Sequence, residues 1–167
     1  MDKKQLVAAV ISDMEKYFGA DARRIRHAHS VLDFARQINR EEAADALVVE
    51  CAAALHDIGI HEAERKYNST AGNYQEQEGP PIALSILAGY PEISEADCQH
   101  IVKIIANHHS ARDIDTMEFR ILWDADWLVN IPDEVGLDDP GRVERCIEKV
   151  FKTATGRRLA ETLYLKR

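Results

Sequence analysis

The chain has 167 residues, is 46% hydrophobic and 30% charged, and carries 21 basic against 29 acidic side chains for a formal net charge of -8. That length suits one domain with a real core, and the ordinary apolar content excludes a disordered chain. The acidic balance argues against a nucleic-acid polymer as partner, because displacing counterions from phosphates needs basic surface. An anionic substrate would then need a local positive charge, which the seven histidines can supply only by holding protons or metal.

Leu6, Val7, Val10, Ile11 and Met14 form an apolar stripe at helical spacing and predict a helix over 2–18, stopped near Gly19. Asp13, Glu15 and Lys16 interrupt this stretch too early for a signal peptide or a span, so a cytoplasmic protein without membrane association is expected. Asp21 is a suitable N-cap for a second helix running to Ile38. The third, over 41–58, contains LVVECAAALHDI and is apolar on nearly every side, as a helix in the centre of a bundle must be. Residues 59–78 then break the pattern with glycines, asparagines and charges and read as a long polar loop of the functional kind.

Pro80 and Pro81 suit the first turn of a helix over 80–89, where a missing N–H costs nothing. Ser94 with Asp97 three residues later predicts a capped helix over 95–109. A further helix covers 116–130, and the loop IPDEVGLDDPG leads to one or two C-terminal helices from Arg142. Cys51, Cys98 and Cys146 are far apart and odd in number, which fits buried or incidental thiols and no disulfide framework. The expectation is a single all-α domain over 1–167, with a C-terminal helical extension at about 140–167.

The segment AALHDIGIHE is the most informative. A His-Asp pair at the end of the most apolar helix is costly unless the carboxylate is paired or bound to a metal, the plain alternative being a local cap before Gly59. Upstream, His27 shares a helical row with Val31, Phe34 and Ile38 and faces the core, while His29 lies at the edge of the stripe. Downstream, ILWDADWLVN sets Asp124 or Asp126 against apolar neighbours.

This order, His27 followed by Val31 and Ala35, then Leu55-His56-Asp57-Ile58-Gly59, then Asp124-Ala125-Asp126-Trp127-Leu128, resembles the HD-domain superfamily of metal-dependent phosphohydrolases. The similarity spans about 21–130 and looks like that of small single-domain bacterial members. It implies a helical bundle of about seven or eight helices. It also implies a metal site of His27, His56, Asp57 and Asp126, selecting His27 over His29 and Asp126 over Asp124. Such a ligand set suits Mn, Fe, Co, Ni or Zn and leaves positions for water and substrate. One ion is favoured. A second would use Glu78, where dinuclear relatives carry histidine, with His108 or the adjacent His109. Glu78 could equally serve as a catalytic base alongside Asp57, or simply complement a helix N-terminus.

Arg24, one turn before His27, and Arg65 with Lys66 in the presumed loop are candidate phosphate contacts. His61 and His100 read as surface, and Trp123 and Trp127 as core or cleft wall. The leading expectation is hydrolysis of a small phosphoester, such as a nucleotide, by metal-activated water. The alternatives are a di-iron oxygenase of the same superfamily, which a glutamate at position 78 disfavours, and a non-catalytic metal-binding regulatory module. A homodimer is compatible with a helical domain of this size.

Overall fold

The most apolar segment of the chain becomes its centre. In the computed structural model, which describes residues 1–166, α3 (Ala46–Leu55) has eight of its ten residues buried and is packed on by α1 (Lys3–Phe18), α2 (Ala22–Glu42), α6 (Glu95–Asn107) and α7 (Met117–Glu134). Its run Ala52-Ala53-Ala54 has no bulk beyond Cβ, so neighbours can approach on every side. The helix starts later than periodicity predicts because Ala43 takes a left-handed conformation that closes α2, and the Asp45 carboxylate then accepts from the amides of Leu47 and Val48.

α1 opens with a reciprocal capping box between Asp2 and Gln5 and buries Leu6, Val7, Val10, Met14 and Phe18. Ser94 caps α6 and Thr116 caps α7, each through a hydroxyl that accepts from one backbone amide. α8 (Pro140–Val150) and α9 (Ala154–Tyr164) are the two C-terminal helices, and α9 packs on α7 and α2. All secondary structure among the described residues is helical, as expected, with nine helices. None of them is long and apolar enough to cross a membrane.

The extra element lies in residues 59–78, which do not form a loop. Residues Ile60–Tyr67 are α4, and α5 runs from Gly72 to Leu87 straight through Pro80 and Pro81. Few apolar residues anchor α4: Ile60 and Ala63 are its buried positions, too sparse a stripe to signal a helix. The prolines deprive the carbonyls of Glu76 and Gln77 of their helical partners, a cost that packing of α5 on α4 and α6 offsets.

Two glycines fix where α5 lies. A Cβ on Gly59 would come within 2.5 Å of the Gly79 amide nitrogen and 2.9 Å of the Gln75 carbonyl oxygen. The backbone after the His-Asp pair therefore touches the backbone of α5, and only glycine permits it.

Candidate metal centre

The end of α3 and two of the helices packed on it deliver polar side chains to one point. His27 comes from α2, His56 and Asp57 from the turn that ends α3, and Asp126 from α7. The Nε2 atom of His27 lies 3.2 Å from Nε2 of His56, 3.3 Å from Oδ2 of Asp57 and 3.2 Å from Oδ1 of Asp126. His56 Nε2 is 3.4 Å from Asp57 Oδ2 and 3.5 Å from Asp126 Oδ1.

The tautomer of His56 follows from its surroundings. Its Nδ1 donates to the Ala53 carbonyl at 2.8 Å, so in the neutral ring the lone pair sits on Nε2 and points at the other three groups. His108, at the end of α6, repeats the device: Nδ1 donates to the Ile105 carbonyl at 2.6 Å, and Nε2 lies 3.4 Å from Asp57 Oδ1. That Nε2 is buried and has no hydrogen-bond partner. Asp57 therefore turns one oxygen to the His27–His56 cluster and the other to His108. His109 completes a second group with Asp57 and His108, all within 4.8 Å of one another, while its own Nε2 contacts Gln75 Oε1 at 3.0 Å.

The electrostatics draw positive charge inward. Burial opposes a charge on His56, but the carboxylates of Asp57 and Asp126 outweigh it and raise its pKa well above the usual imidazole value. Burial also opposes ionisation of both aspartates, yet His56 and His108 hold Asp57, and His56 and His27 hold Asp126, well below the usual carboxylate range. Two imidazole nitrogens and two carboxylates converging at 3.2–3.5 Å, together with an orphaned buried Nε2, form a donor set that a divalent cation, displacing the imidazole proton, would satisfy. Imidazole nitrogen and carboxylate oxygen are the donors such an ion prefers, so the residues fit the metal.

Asp124 and Asp126 separate cleanly. Asp124 faces the opposite way and accepts from the amides of Lys152 and Thr153 and from the Thr153 hydroxyl, tying α7 to the start of α9. His29 lies apart from the cluster and pairs with Glu15 at 2.6 Å. His61, on α4, pairs with Asp21, and His100 bonds Thr116.

Glu78 is not brought into either cluster. Its two oxygens accept from Tyr67 at 2.8 Å and Lys66 at 3.0 Å, and these bonds lower its pKa. The physical reason is the continuous α5: Glu78 sits in mid-helix facing α4, and the residue one turn earlier, Gln75, faces the site instead. Two of the three basic candidates have carboxylate partners of their own. Lys66 is engaged by Glu78, and Arg65 forms an exposed pair with Glu62. Arg24 does line the cleft beside the cluster, a cavity of about 480 Å³ that also touches His27, Asp57 and Asp126.

Several contributors were not singled out from sequence. Asn130 donates to Asp126 Oδ1 at 2.9 Å from one turn along α7, a spacing of i+4 that could have flagged it. Arg23 and Arg26 join Arg24 on the cleft wall, and none of the three has an ion-pair partner among the described residues. Gln75 was hidden by the assumption of a loop. A larger groove of about 780 Å³, bounded by Lys3, Lys4, Arg36 and Arg40, lies elsewhere and contains none of the clustered histidines or aspartates.

A profile of the HD domain matches residues 24–131. The fold is also similar to the crystal structure of a predicted HD superfamily hydrolase from an uncultured Thermotogales bacterium, with a TM-score of 0.71 and 23% identity over 99% of this chain and 92% of that one. No curated protein matches the sequence. The match takes in His27, the His-Asp turn and Asp126 together, and the chain belongs to the HD-domain family.

Proposed function

We propose that the protein is a metal-dependent phosphohydrolase acting on a small phosphoester. The observation that carries this reading is the convergence of His27 Nε2, His56 Nε2, Asp57 Oδ2 and Asp126 Oδ1 at the floor of a cleft whose wall bears three unpaired arginines. His27, His56, Asp57 and Asp126 would hold a divalent transition metal such as Mn, Fe, Co, Ni or Zn. When bound there, the ion supplies a Lewis acid for a phosphoryl oxygen and a nucleophilic water at neutral pH.

The chain's own residues do the rest. The Ala53 carbonyl holds His56 in the tautomer that offers Nε2, and Asn130 fixes the rotamer of Asp126. Arg24, with Arg23 and Arg26 beside it, neutralises and orients the phosphoryl group, so the transferring group meets positive charge from two directions. The side of Asp57 that faces His108 favours a second, weaker ion site formed by Asp57, His108 and His109, since His108 Nε2 has no other partner.

The test is a panel of phosphorylated metabolites assayed with Mn, Co, Ni, Mg and Fe, alongside metal analysis of the purified protein. Release of inorganic phosphate that requires one or two ions per chain is expected. Oxygen consumption without phosphate release would replace the hydrolytic reading with an oxidative one. Bound metal without turnover of any phosphoester would leave a regulatory module.

A further inference from the structure

The cleft beside the metal centre has two walls of opposite sign. The first turns of α2 present Arg23, Arg24 and Arg26, and the last turn of α7 presents Asp133 and Glu134. None of these five side chains forms an ion pair among the described residues, so the two walls do not pair with each other. A simple phosphate ester would gain from the arginines and be repelled by the carboxylates. A ligand that spans the cleft with a negative and a positive end gains from both.

The acidic wall continues into a second recess of about 180 Å³, where Glu134 and Asn130 meet Trp127 and Trp123, with Asp126, His108 and His109 also lining it. Indole rings next to a carboxylate are surroundings an ammonium group prefers, through cation–π attraction and direct ion pairing. This recess adjoins the arginine-lined cleft, sharing Asp126, Asn130, His109 and Glu134 with it.

We propose, resting on the phosphohydrolase reading, that the substrate is a phosphoester whose alcohol part carries an ammonium group. Its phosphoryl end lies against the Arg24 wall, and its ammonium end lies between Trp127, Asp133 and Glu134. In its hydrolysis water forms the new P–O bond, the ester P–O bond breaks, and the departing alkoxide oxygen takes up a proton. The products are inorganic phosphate and an amino alcohol, and no oxidant or further reactant is needed.

Two non-hydrolysable probes test this on the manganese-loaded full chain by calorimetry: 3-aminopropylphosphonate and propylphosphonate, which differ by the ammonium group. The expected result is about tenfold tighter binding of the amino compound, shrinking at high salt, as screening of exposed charges requires. In the double variant Asp133→Asn, Glu134→Gln the preference falls to about one, whereas Arg24→Ala weakens both probes together. Both acidic residues are exposed and unpartnered, so their substitution leaves the fold intact. Equal binding of the two probes to the unaltered protein, or a preference that survives the double variant, overturns the inference while leaving phosphohydrolysis standing. Binding of neither probe, with no phosphoester turned over, overturns both.

Discussion

Two carboxylates lie two residues apart on α7, both buried in an apolar helix, and they do opposite things. Asp124 is saturated by donors: two backbone amides and a hydroxyl converge on it at 2.7–2.8 Å, and a Cβ on Gly156 would collide with it at 2.4 Å. Asp126 meets one amide donor from Asn130 and otherwise faces two imidazole nitrogens that it shares with a second carboxylate, Asp57. A buried carboxylate enclosed by donors joins elements together, and one that shares its site with other acceptors calls for a cation. Burial alone does not distinguish them; the balance of donors and acceptors around each does.

The widest separation between the two regions should appear on truncation. Asp126→Ala and Asp57→Ala are each expected to lose bound metal and to lower phosphoester turnover by about 1000-fold or more, with chelation having the same effect on the unaltered protein. Metal content per folded chain is the deciding measurement. Asp124→Ala should keep its metal, and a loss there equal to that of Asp126→Ala would erase the distinction.

Asp124→Ala should instead destabilise. It strands the amides of Lys152 and Thr153 at a buried helix start, a cost of about 2–4 kcal/mol. For a chain of this size that corresponds to a fall in Tm of about 5–15 °C, readable by calorimetry. Asn130→Ala sharpens the other side. Without its bond to Asp126, metal affinity should drop by about tenfold with little change in Tm of the metal-free protein.

The smallest expected effect is a pH dependence. Burial outweighs the three hydrogen bonds to Asp124 and pushes its carboxyl up to about 6. Between the ordinary aspartate value near 4 and that pH, the folded chain holds a proton the unfolded chain has released. This group's stabilising contribution is therefore full below about 4 and declines as the pH rises to about 6. In the Asp124→Asn variant that part of the curve of Tm against pH should flatten; an unchanged slope would assign it to other groups.

Much of the frame was legible in the residues. Helical spacing located the stripes of α1, α2, α6 and α7, and the all-round apolar run from Leu47 to Leu55 marked the central helix. Failures occurred where burial was thin or local chemistry misled. α4 has Ile60 and Ala63 as its buried anchors, and the prolines of α5 signal a helix start although tertiary packing carries the helix through them. Reading 59–78 as a loop concealed Gln75, while Glu78, which the resemblance set at the position where dinuclear relatives carry histidine, bonds Lys66 and Tyr67.

By itself the sequence determined the order of the groups, a histidine on one apolar helix, a His-Asp pair ending the next and an aspartate on a third, because periodicity and side-chain chemistry are properties of the chain alone. Only the tertiary structure decided that His56 and His108 turn Nε2 inward, that Asp126 and not Asp124 shares their space, and that arginines and carboxylates face one another across the cleft. The reason is geometric: a helical repeat says which face is covered, and the helix that covers it supplies the donors, acceptors and charges that define each group's role.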